Sequence, residues 1–254
     1  MATSTRQLDS IVVLGHSGTT GYNSDPNQLG VDIRANSWAT GTNPKVNSIY
    51  RRLLATHPAL KGHTTSLGVD GSTVDDLPAQ VDQMLALDPL PDVVIIQSID
   101  NDMQCDGSDS ANEKAFGQKL GRVLTTINRK DRYAQIFFVD QWGSVATYAN
   151  ATKGQSAAVS GASGTGPCDT FTTNGALRPA GIGSAQRIVD GYFGTIQRVC
   201  SAHRACWTDN GALQRMPLDV SDLTGDLNHL SLKGLPVMAA LAWDALPAAI
   251  KNRA

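Results

Sequence analysis

The chain has 254 residues, a length that fits one large domain with a substantial core. Its 21 lysine and arginine residues nearly balance its 23 aspartate and glutamate residues, which leaves a formal charge of −2. Because neither sign forms a long run, the composition argues against a nucleic-acid-binding surface. No apolar stretch approaches the ~20 residues that a membrane span requires. We therefore expect a monomeric single domain over 1–254 that has no membrane span and acts on a small or uncharged partner.

Apolar runs rich in β-branched residues predict four buried strands. They cover 10–15, 63–69, 91–98 and 134–140. Segments with helical spacing lie between these runs and after the last one. They predict helices over 44–56, 73–87, 112–130, 183–202 and 233–251. Because strands and helices alternate, we expect a parallel sheet whose ligands bind at the carboxyl ends of the strands.

One segment, from 141 to about 180, is rich in Gly, Ser, Thr and Ala and has no clean period. It predicts a long loop. A loop of this length inside a compact domain is usually functional or disordered.

The four cysteines form no CxxC pair and have no histidine at zinc-ligand spacing, so we expect no structural zinc site. Cys200 and Cys206 bracket a loop short enough to close locally, which leaves Cys105 for Cys168 among three possible connectivities. Disulfides indicate an oxidising compartment, although four reduced cysteines are the alternative. Since the first ten residues lack the apolar core of a secretory signal, the expected form is a mature secreted protein whose signal has been removed.

The stretch "IVVLGHSGTTGY" places Ser17 directly after the first predicted strand. A serine hydroxyl becomes a good nucleophile only beside a base. His16 adjoins Ser17, but neighbouring side chains on extended backbone diverge. His229, in "GDLNHLS", follows Asp226 by three positions. A carboxylate at that spacing can hold the imidazole Nδ1 while Nε2 faces a serine, so one short segment can supply both a base and the group that orients it.

Donors for a developing oxyanion are available after the next two predicted strands. "GVDGST" supplies Gly71, where a backbone N–H can approach a substrate with no side chain in the way. "QSIDND" supplies Asn101, whose side-chain amide can donate. The N–H of Ser17 would be a third donor. Taken singly, each of these residues is more often a turn residue; their order along the chain favours catalysis.

Together these positions resemble the signature of the SGNH, or GDSL-type, hydrolase family. That signature is a serine after the first strand, a glycine after the second, an asparagine after the third and a histidine three positions after an aspartate. The matching residues are Ser17, Gly71, Asn101 and His229, with Asp226 completing a Ser-His-Asp triad. The resemblance covers nearly the whole chain. It implies a flavodoxin-like three-layer α/β/α sandwich and cofactor-free hydrolysis of a small-molecule, glycan or lipid ester.

Two positions depart from the family pattern. The usual "GDS" is "GHS" here, with His16 in place of an aspartate, and the usual "GxND" is "IDND", with Ile99 in place of glycine. Neither change removes a proposed catalytic atom.

Other interpretations of the sequence remain open. A cluster of aspartates fits a solvated loop better than a calcium loop, because its spacing misses the EF-hand pattern. The cluster comprises Asp100, Asp102, Asp106 and Asp109. A non-catalytic glycan- or lipid-binding protein on the same fold is the alternative to an enzyme. A phosphate-binding flavodoxin-like module is disfavoured, because no cofactor fingerprint follows the first strand. We expect neither a cofactor nor a metal.

Overall fold

A five-stranded parallel sheet forms the centre of the computed structural model, which describes residues 6–253. The strands lie in the order β2-β1-β3-β4-β5. They are β1 Ile11–Gly15, β2 Thr64–Ser66, β3 Val93–Gln97, β4 Gln135–Val139 and β5 Cys206–Thr208. Both faces of the three central strands are covered, which explains why their sequences are continuous apolar runs rather than alternating ones.

Helices cover both faces of the sheet. They are α1 Ile49–Leu54, α2 Leu77–Leu85, α3 Asp109–Lys130, α4 Val145–Thr152, α5 Ser156–Gly161, α6 Pro179–Ser201, α7 Gly234–Ala245 and α8 Ala248–Lys251. Along β1, Val13 packs in one core with α1 and α7, while Leu14 packs in the other with α2, α3 and α6. The structure is thus the expected three-layer α/β/α arrangement. Within residues 6–253, no helix has the length and apolar content needed to cross a membrane.

Several element boundaries differ from the sequence predictions. Of the strand predicted over 63–69, only Thr64–Ser66 is regular strand, although the Leu67 and Val69 N–H groups still donate to the Val13 and Gly15 oxygens of β1 at 2.9 and 3.0 Å. The helix predicted over 44–56 begins at Ile49, because the Ser48 side chain caps it by accepting from the Arg51 N–H at 3.2 Å. The helix predicted over 73–87 is α2, Leu77–Leu85.

Two further predictions, of one continuous helix and of one long loop, were wrong. The helix predicted over 233–251 is divided into α7 and α8 at Pro247, which lacks an N–H and disfavours helical backbone at Leu246 before it. The segment 141–180, predicted to be a loop, contains α4 and α5. The short edge strand β5 was missed altogether.

Both expected disulfides are present. Cys105, in the connection after β3, is joined to Cys168, which lies in the 141–180 segment. Cys200, near the end of α6, is joined to Cys206, the first residue of β5. The first bond therefore attaches the long segment to the loops at the carboxyl edge of the sheet.

We expect the two disulfides to contribute unequally to stability. Cys105 and Cys168 are 63 positions apart, whereas Cys200 and Cys206 are 6 apart. On the chain-entropy model, losing the longer cross-link costs about 4 kcal/mol and losing the shorter one about 2 kcal/mol. Urea unfolding of the two double alanine variants measures this difference. A loss for Cys200→Ala/Cys206→Ala as large as that for Cys105→Ala/Cys168→Ala would contradict the assignment.

Candidate active site

The exit from β1 requires a glycine. Gly15 has φ +132°, and a Cβ built on it would lie 1.9 Å from the backbone oxygen of Gln97 on β3. The chain then turns into a short 3-10 helix, Ser17–Thr19. The first residue of that turn, Ser17, therefore stands at the carboxyl edge of the sheet, where the connecting loops meet.

Ser17 is in hydrogen-bond contact with His229. Ser17 Oγ lies 2.8 Å from His229 Nε2, and His229 Nδ1 lies 2.8 Å from Asp226 Oδ2. The first of these contacts joins residues 212 positions apart in the chain, and the second joins residues three positions apart. In this series the Ser17 hydroxyl donates to Nε2 and the Nδ1–H donates to the carboxylate, the arrangement that a serine nucleophile with a histidine base requires.

The carboxylate of Asp226 is the most heavily hydrogen-bonded group of the site. Its Oδ1 accepts from Thr224 Oγ1 at 2.5 Å and from the backbone N–H groups of Asn228 at 2.8 Å and His229 at 3.1 Å. Its Oδ2 accepts from His229 Nδ1 and from Asn23 Nδ2. Burial by itself would raise the pKa of Asp226, but these hydrogen bonds outweigh it and hold the pKa well below its usual range. Asp226 is therefore ionised throughout the neutral range.

The turn that carries Asp226 and His229 is held from two sides. Leu227 has φ +57°, an uncommon conformation for a branched residue, and its N–H donates to the Thr224 oxygen at 3.0 Å. Tyr148, on α4, donates its hydroxyl to the Leu227 oxygen at 2.9 Å. The segment predicted to be a long loop thus contributes a helix that supports this turn.

His16 lies away from the Ser17 hydroxyl, as expected. Its ring is buried, and Nδ1 accepts from the Gly18 N–H at 3.1 Å, which caps the turn that begins at Ser17. Burial lowers the pKa of His16, against the smaller opposing effect of Asp100. A neutral imidazole whose Nδ1 lone pair accepts from the Gly18 N–H therefore takes the place of the aspartate in the "GDS" pattern.

The loops that carry Gly71 and Asn101 lie side by side. Gly71 has φ +71°, and the space around the position of its absent Cβ is open. Asn101 is exposed, and its Nδ2 donates to the Ser72 oxygen at 3.0 Å. Ser72 Oγ donates in turn to the Gly15 oxygen at 2.7 Å, two residues before Ser17. Among the described residues, no hydrogen bond joins Gly71 or Asn101 directly to Ser17 or His229.

Ile99 occupies a backbone conformation that favours glycine. Its φ is +131°, and its side chain is buried in the core beneath α2, α3 and α6. Such a conformation costs a β-branched residue about 1–3 kcal/mol. The position at which this sequence departs from "GxND" is therefore one where the backbone still has the glycine-like shape, and the isoleucine side chain contributes packing in return.

A pair of carboxyl groups lies near Gly71. The Asp70 carboxyl lies close enough to that of Asp32 for the two charges to interact. Burial, followed by the charge of Asp32, raises the pKa of Asp70. Asp32 lies on the loop after β1 and Asp70 on the loop after β2.

The aspartates considered as a calcium loop are occupied with other partners. Asp102 Oδ1 accepts from the Val74 N–H at 3.0 Å, Asp106 Oδ1 from the Ser108 N–H at 2.9 Å, and Asp109 Oδ1 from the Cys105 N–H at 3.1 Å. Asp100 Oδ1 accepts from Gln141 Nε2. Across residues 6–253, no group of three or more metal-ligating side chains is assembled.

Beyond the proposed oxyanion donors a cleft opens. It has a volume of about 280 Å³ and lies next to Asn101. Polar side chains form much of its wall, and they include Thr73, Gln104, Asn112 and Tyr192.

Sequence reasoning missed several residues that contact the catalytic candidates. Asn23, Tyr22, Thr224 and Tyr148 are the main ones. The Tyr22 ring lies 4.8 Å from that of His229, centroid to centroid, and Asn23 is 203 positions from its partner Asp226. No spacing in the sequence signals such contacts, because they depend on how the two ends of the chain are folded together. Only Thr224, two positions before Asp226, carried a local signal, that of a side-chain turn.

Comparison with solved structures identifies the fold. The chain is similar to a protein from Parabacteroides merdae assigned as a GDSL-like lipase, with 15% identity, a TM-score of 0.52 and coverage of 94% of this chain and 96% of the other. It is similar also to the acetylxylan esterase Axe2 from Geobacillus stearothermophilus, with 16% identity, a TM-score of 0.54 and 94% coverage of both chains. The chain has the fold of GDSL-type hydrolases.

A third similar structure is phospholipase A1 from Streptomyces albidoflavus NA297, with 14% identity, a TM-score of 0.51 and coverage of 92% of this chain and 99% of the other. Neither a protein-family model nor a curated protein sequence matches the chain. The similarity is thus one of fold, and the residues of the site carry any statement about function.

Asp140, at the carboxyl end of β4, is fully buried. Its Oδ1 accepts from the Gln141 N–H at 2.8 Å, and its Oδ2 accepts from Gln214 Nε2. Burial, reinforced by the nearby charge of Asp209, raises the pKa of Asp140 to about 7. The folded chain therefore binds a proton here at pH values at which the unfolded chain has released it.

This difference predicts a pH-dependent contribution to stability. Between about pH 4 and pH 7 the folded state holds the Asp140 proton more tightly than the unfolded state, so the free energy of unfolding falls as the pH rises through this window. Asp140→Asn cannot titrate. We expect wild type to lose stability relative to Asp140→Asn from pH 4.5 to pH 8, as measured by urea unfolding. Asp82→Asn, on the exposed side of α2, is the control, and parallel curves for wild type and Asp140→Asn would contradict the assignment.

Proposed function

We propose that this protein is a serine carboxylic ester hydrolase that works through an acyl-enzyme. The observation that carries the proposal is the hydrogen-bonded series Ser17–His229–Asp226 at the carboxyl edge of a GDSL-type fold. Three side chains from two distant parts of the chain meet in the order that nucleophilic catalysis needs. A histidine whose other nitrogen is held by a multiply hydrogen-bonded carboxylate is the partner that activates a serine nucleophile.

In the proposed mechanism Ser17 Oγ attacks the ester carbonyl as His229 Nε2 accepts its proton. His229 then delivers that proton to the departing alcohol, which leaves an acyl group on Ser17. Water, deprotonated by the same imidazole, releases the acid in the second half of the reaction. Asp226 stays ionised throughout, fixes the tautomer of His229 and stabilises the imidazolium that forms in each half.

The oxyanion would be held by the N–H groups of Ser17 and Gly71 and by the side chain of Asn101. Asn101 Nδ2 has two hydrogens, and its contact with the Ser72 oxygen uses one of them. The other is available to a substrate. The same contact fixes the direction of the amide, so the donor is oriented before the reaction begins. The chemistry requires neither a metal nor a cofactor.

The substrate we propose is an ester of a small molecule, a glycan or a lipid. Proteins of this fold named as acetylxylan esterase, GDSL-like lipase and phospholipase A1 support that range. We further propose that the protein acts as a monomer formed from one domain and that it is secreted, since two disulfides persist best in an oxidising compartment.

Ser17→Ala is expected to abolish ester hydrolysis and leave the fold intact, because the change removes the nucleophile from a partly exposed position. Hydrolysis of a short-chain chromogenic ester, with circular dichroism of both proteins, measures this. Ser110→Ala, on the exposed surface of α3, is the matched control and should keep wild-type turnover. Near wild-type activity in Ser17→Ala would refute the proposed nucleophile, and an inactive wild type with ligand binding intact would favour a binding protein instead.

Asn101→Ala is expected to lower kcat by about a hundredfold to a thousandfold with little change in KM, since one oxyanion donor acts mainly in the transition state. Steady-state kinetics on the same ester separates the two parameters. An effect confined to KM would make Asn101 a substrate-binding residue rather than an oxyanion donor.

A further inference from the structure

Asn23 provides a contact to Asp226 that no catalytic motif includes. Its Nδ2 donates to Asp226 Oδ2, the same oxygen that accepts from His229 Nδ1. We propose that Asn23 is a positioning residue, which orients the Asp226 carboxylate and through it the imidazole of His229. The inference rests on the proposed function and adds a fourth side chain to the series Ser17–His229–Asp226.

The orientation of the Asn23 amide is fixed by its other contacts. Its Oδ1 accepts from the Gly30 N–H at 2.6 Å, and its own N–H donates to the Val31 oxygen at 3.1 Å. Because a backbone donor occupies the oxygen, the nitrogen is the atom that faces Asp226. Asn23 also has φ 55°, a conformation that asparagine and glycine tolerate better than other residues. Backbone and side chain are therefore both held in one arrangement.

The contact differs in origin from the other hydrogen bonds of the carboxylate. Thr224, Asn228 and His229 all belong to the same short turn as Asp226 and move with it. Among the described residues, Asn23 is the hydrogen-bond donor to Asp226 that comes from elsewhere in the chain. It is thus the contact that can fix the carboxylate relative to the rest of the site.

Asn23 also lies on the same connection as Ser17, six positions further along. Ser17 and Asn23 both follow β1, whereas Asp226 and His229 both precede α7. The two segments are joined by Ser17 Oγ to His229 Nε2 and by Asn23 to Asp226. Two separate hydrogen bonds restrict rotation of one segment against the other, which a single bond cannot do. The Tyr22 ring, packed 4.8 Å from the imidazole, lies on the same connection and adds a third contact.

Loss of the Asn23 donor should therefore affect turnover more than binding. Asp226 keeps the four donors of its own turn and stays ionised, so the triad persists with a less restricted geometry. Stabilisation of the imidazolium falls because the hydrogen bond to His229 Nδ1 is less well aligned in the transition state. Such a change lowers kcat and leaves KM nearly unchanged.

Two variants separate this role from a purely structural one. Asn23→Gly preserves the left-handed backbone and removes both side-chain contacts. Asn23→Asp also tolerates that backbone and keeps an oxygen for the Gly30 N–H, but it sets a carboxylate oxygen against Asp226 instead of a donor. A role confined to the Gly30 loop would leave Asn23→Asp like wild type. Asn47→Gly is the matched control, since Asn47 has φ 51° and lies in the connection before α1.

We expect kcat to fall about tenfold in Asn23→Gly, which corresponds to about 1.4 kcal/mol, and to fall further in Asn23→Asp. The KM of both variants should stay close to that of wild type. The melting temperature of Asn23→Asp should also stay close to that of wild type. The low-field NMR resonance of the His229 Nδ1 proton should shift in both variants, and Asn47→Gly should change neither kcat nor that resonance. Wild-type kcat in Asn23→Asp, or equal losses of kcat in Asn23→Gly and Asn47→Gly, would overturn this inference and leave the proposed function standing. Absence of Ser17-dependent hydrolysis in the wild type would overturn the proposed function as well.

Discussion

Hydrogen bonds to the peptide groups of Gly15 join the loops at the carboxyl edge of the sheet. The Gly15 N–H donates to Gln80 Oε1 at 2.7 Å, and the Gly15 oxygen accepts from the Val69 N–H, Ser72 Oγ and Gln80 Nε2 at 2.7 to 3.0 Å. One residue thus joins the end of β1, the loop after β2 and the buried side of α2. No side chain fits at this position, because the backbone of β3 is in contact with it. The direction in which Ser17 leaves the sheet follows from this packing.

The catalytic candidates depend on polar contacts between loops rather than on the sheet alone. Asn101 donates to the loop after β2, and Gln141 reaches Asp100 from the loop after β4. The Cys105–Cys168 disulfide attaches the segment that contains α4 and α5 to the same edge. These contacts hold the loops in place relative to one another.

The sequence was most informative where burial imposes a pattern. Strands β1, β3 and β4 are continuous apolar runs because both of their faces are covered, and they were found close to their true bounds. The edge strand β5 has only three residues, Cys206–Thr208, too few to show any period. Helices α4 and α5 escaped notice because their small residues have little apolar contrast, and packing against the core decides their structure.

The same distinction applies to the site. Ser17, Asp226 and His229 became catalytic candidates because a local motif and a three-residue spacing mark them. Asn23 is half-buried on an irregular loop, and its contact with Asp226 forms only when residues 203 positions apart meet. Ile99 is a different case, because the sequence did mark it, as a departure from glycine. Only the structure shows that its φ of +131° keeps the glycine-like backbone. Local signals predict chemistry, and long-range contacts determine its geometry.

The lengths of the outermost strands have a consequence for association between molecules. β2 and β5 are each three residues long, so each margin of the sheet offers few unpaired N–H and C=O groups. A long, flat margin is a template on which another chain can add a strand and start an aggregate. At β5 the Cys200–Cys206 bond also ties the first residue of the strand to α6, which limits fraying. The sheet is therefore poorly suited to edge-to-edge growth into fibrils.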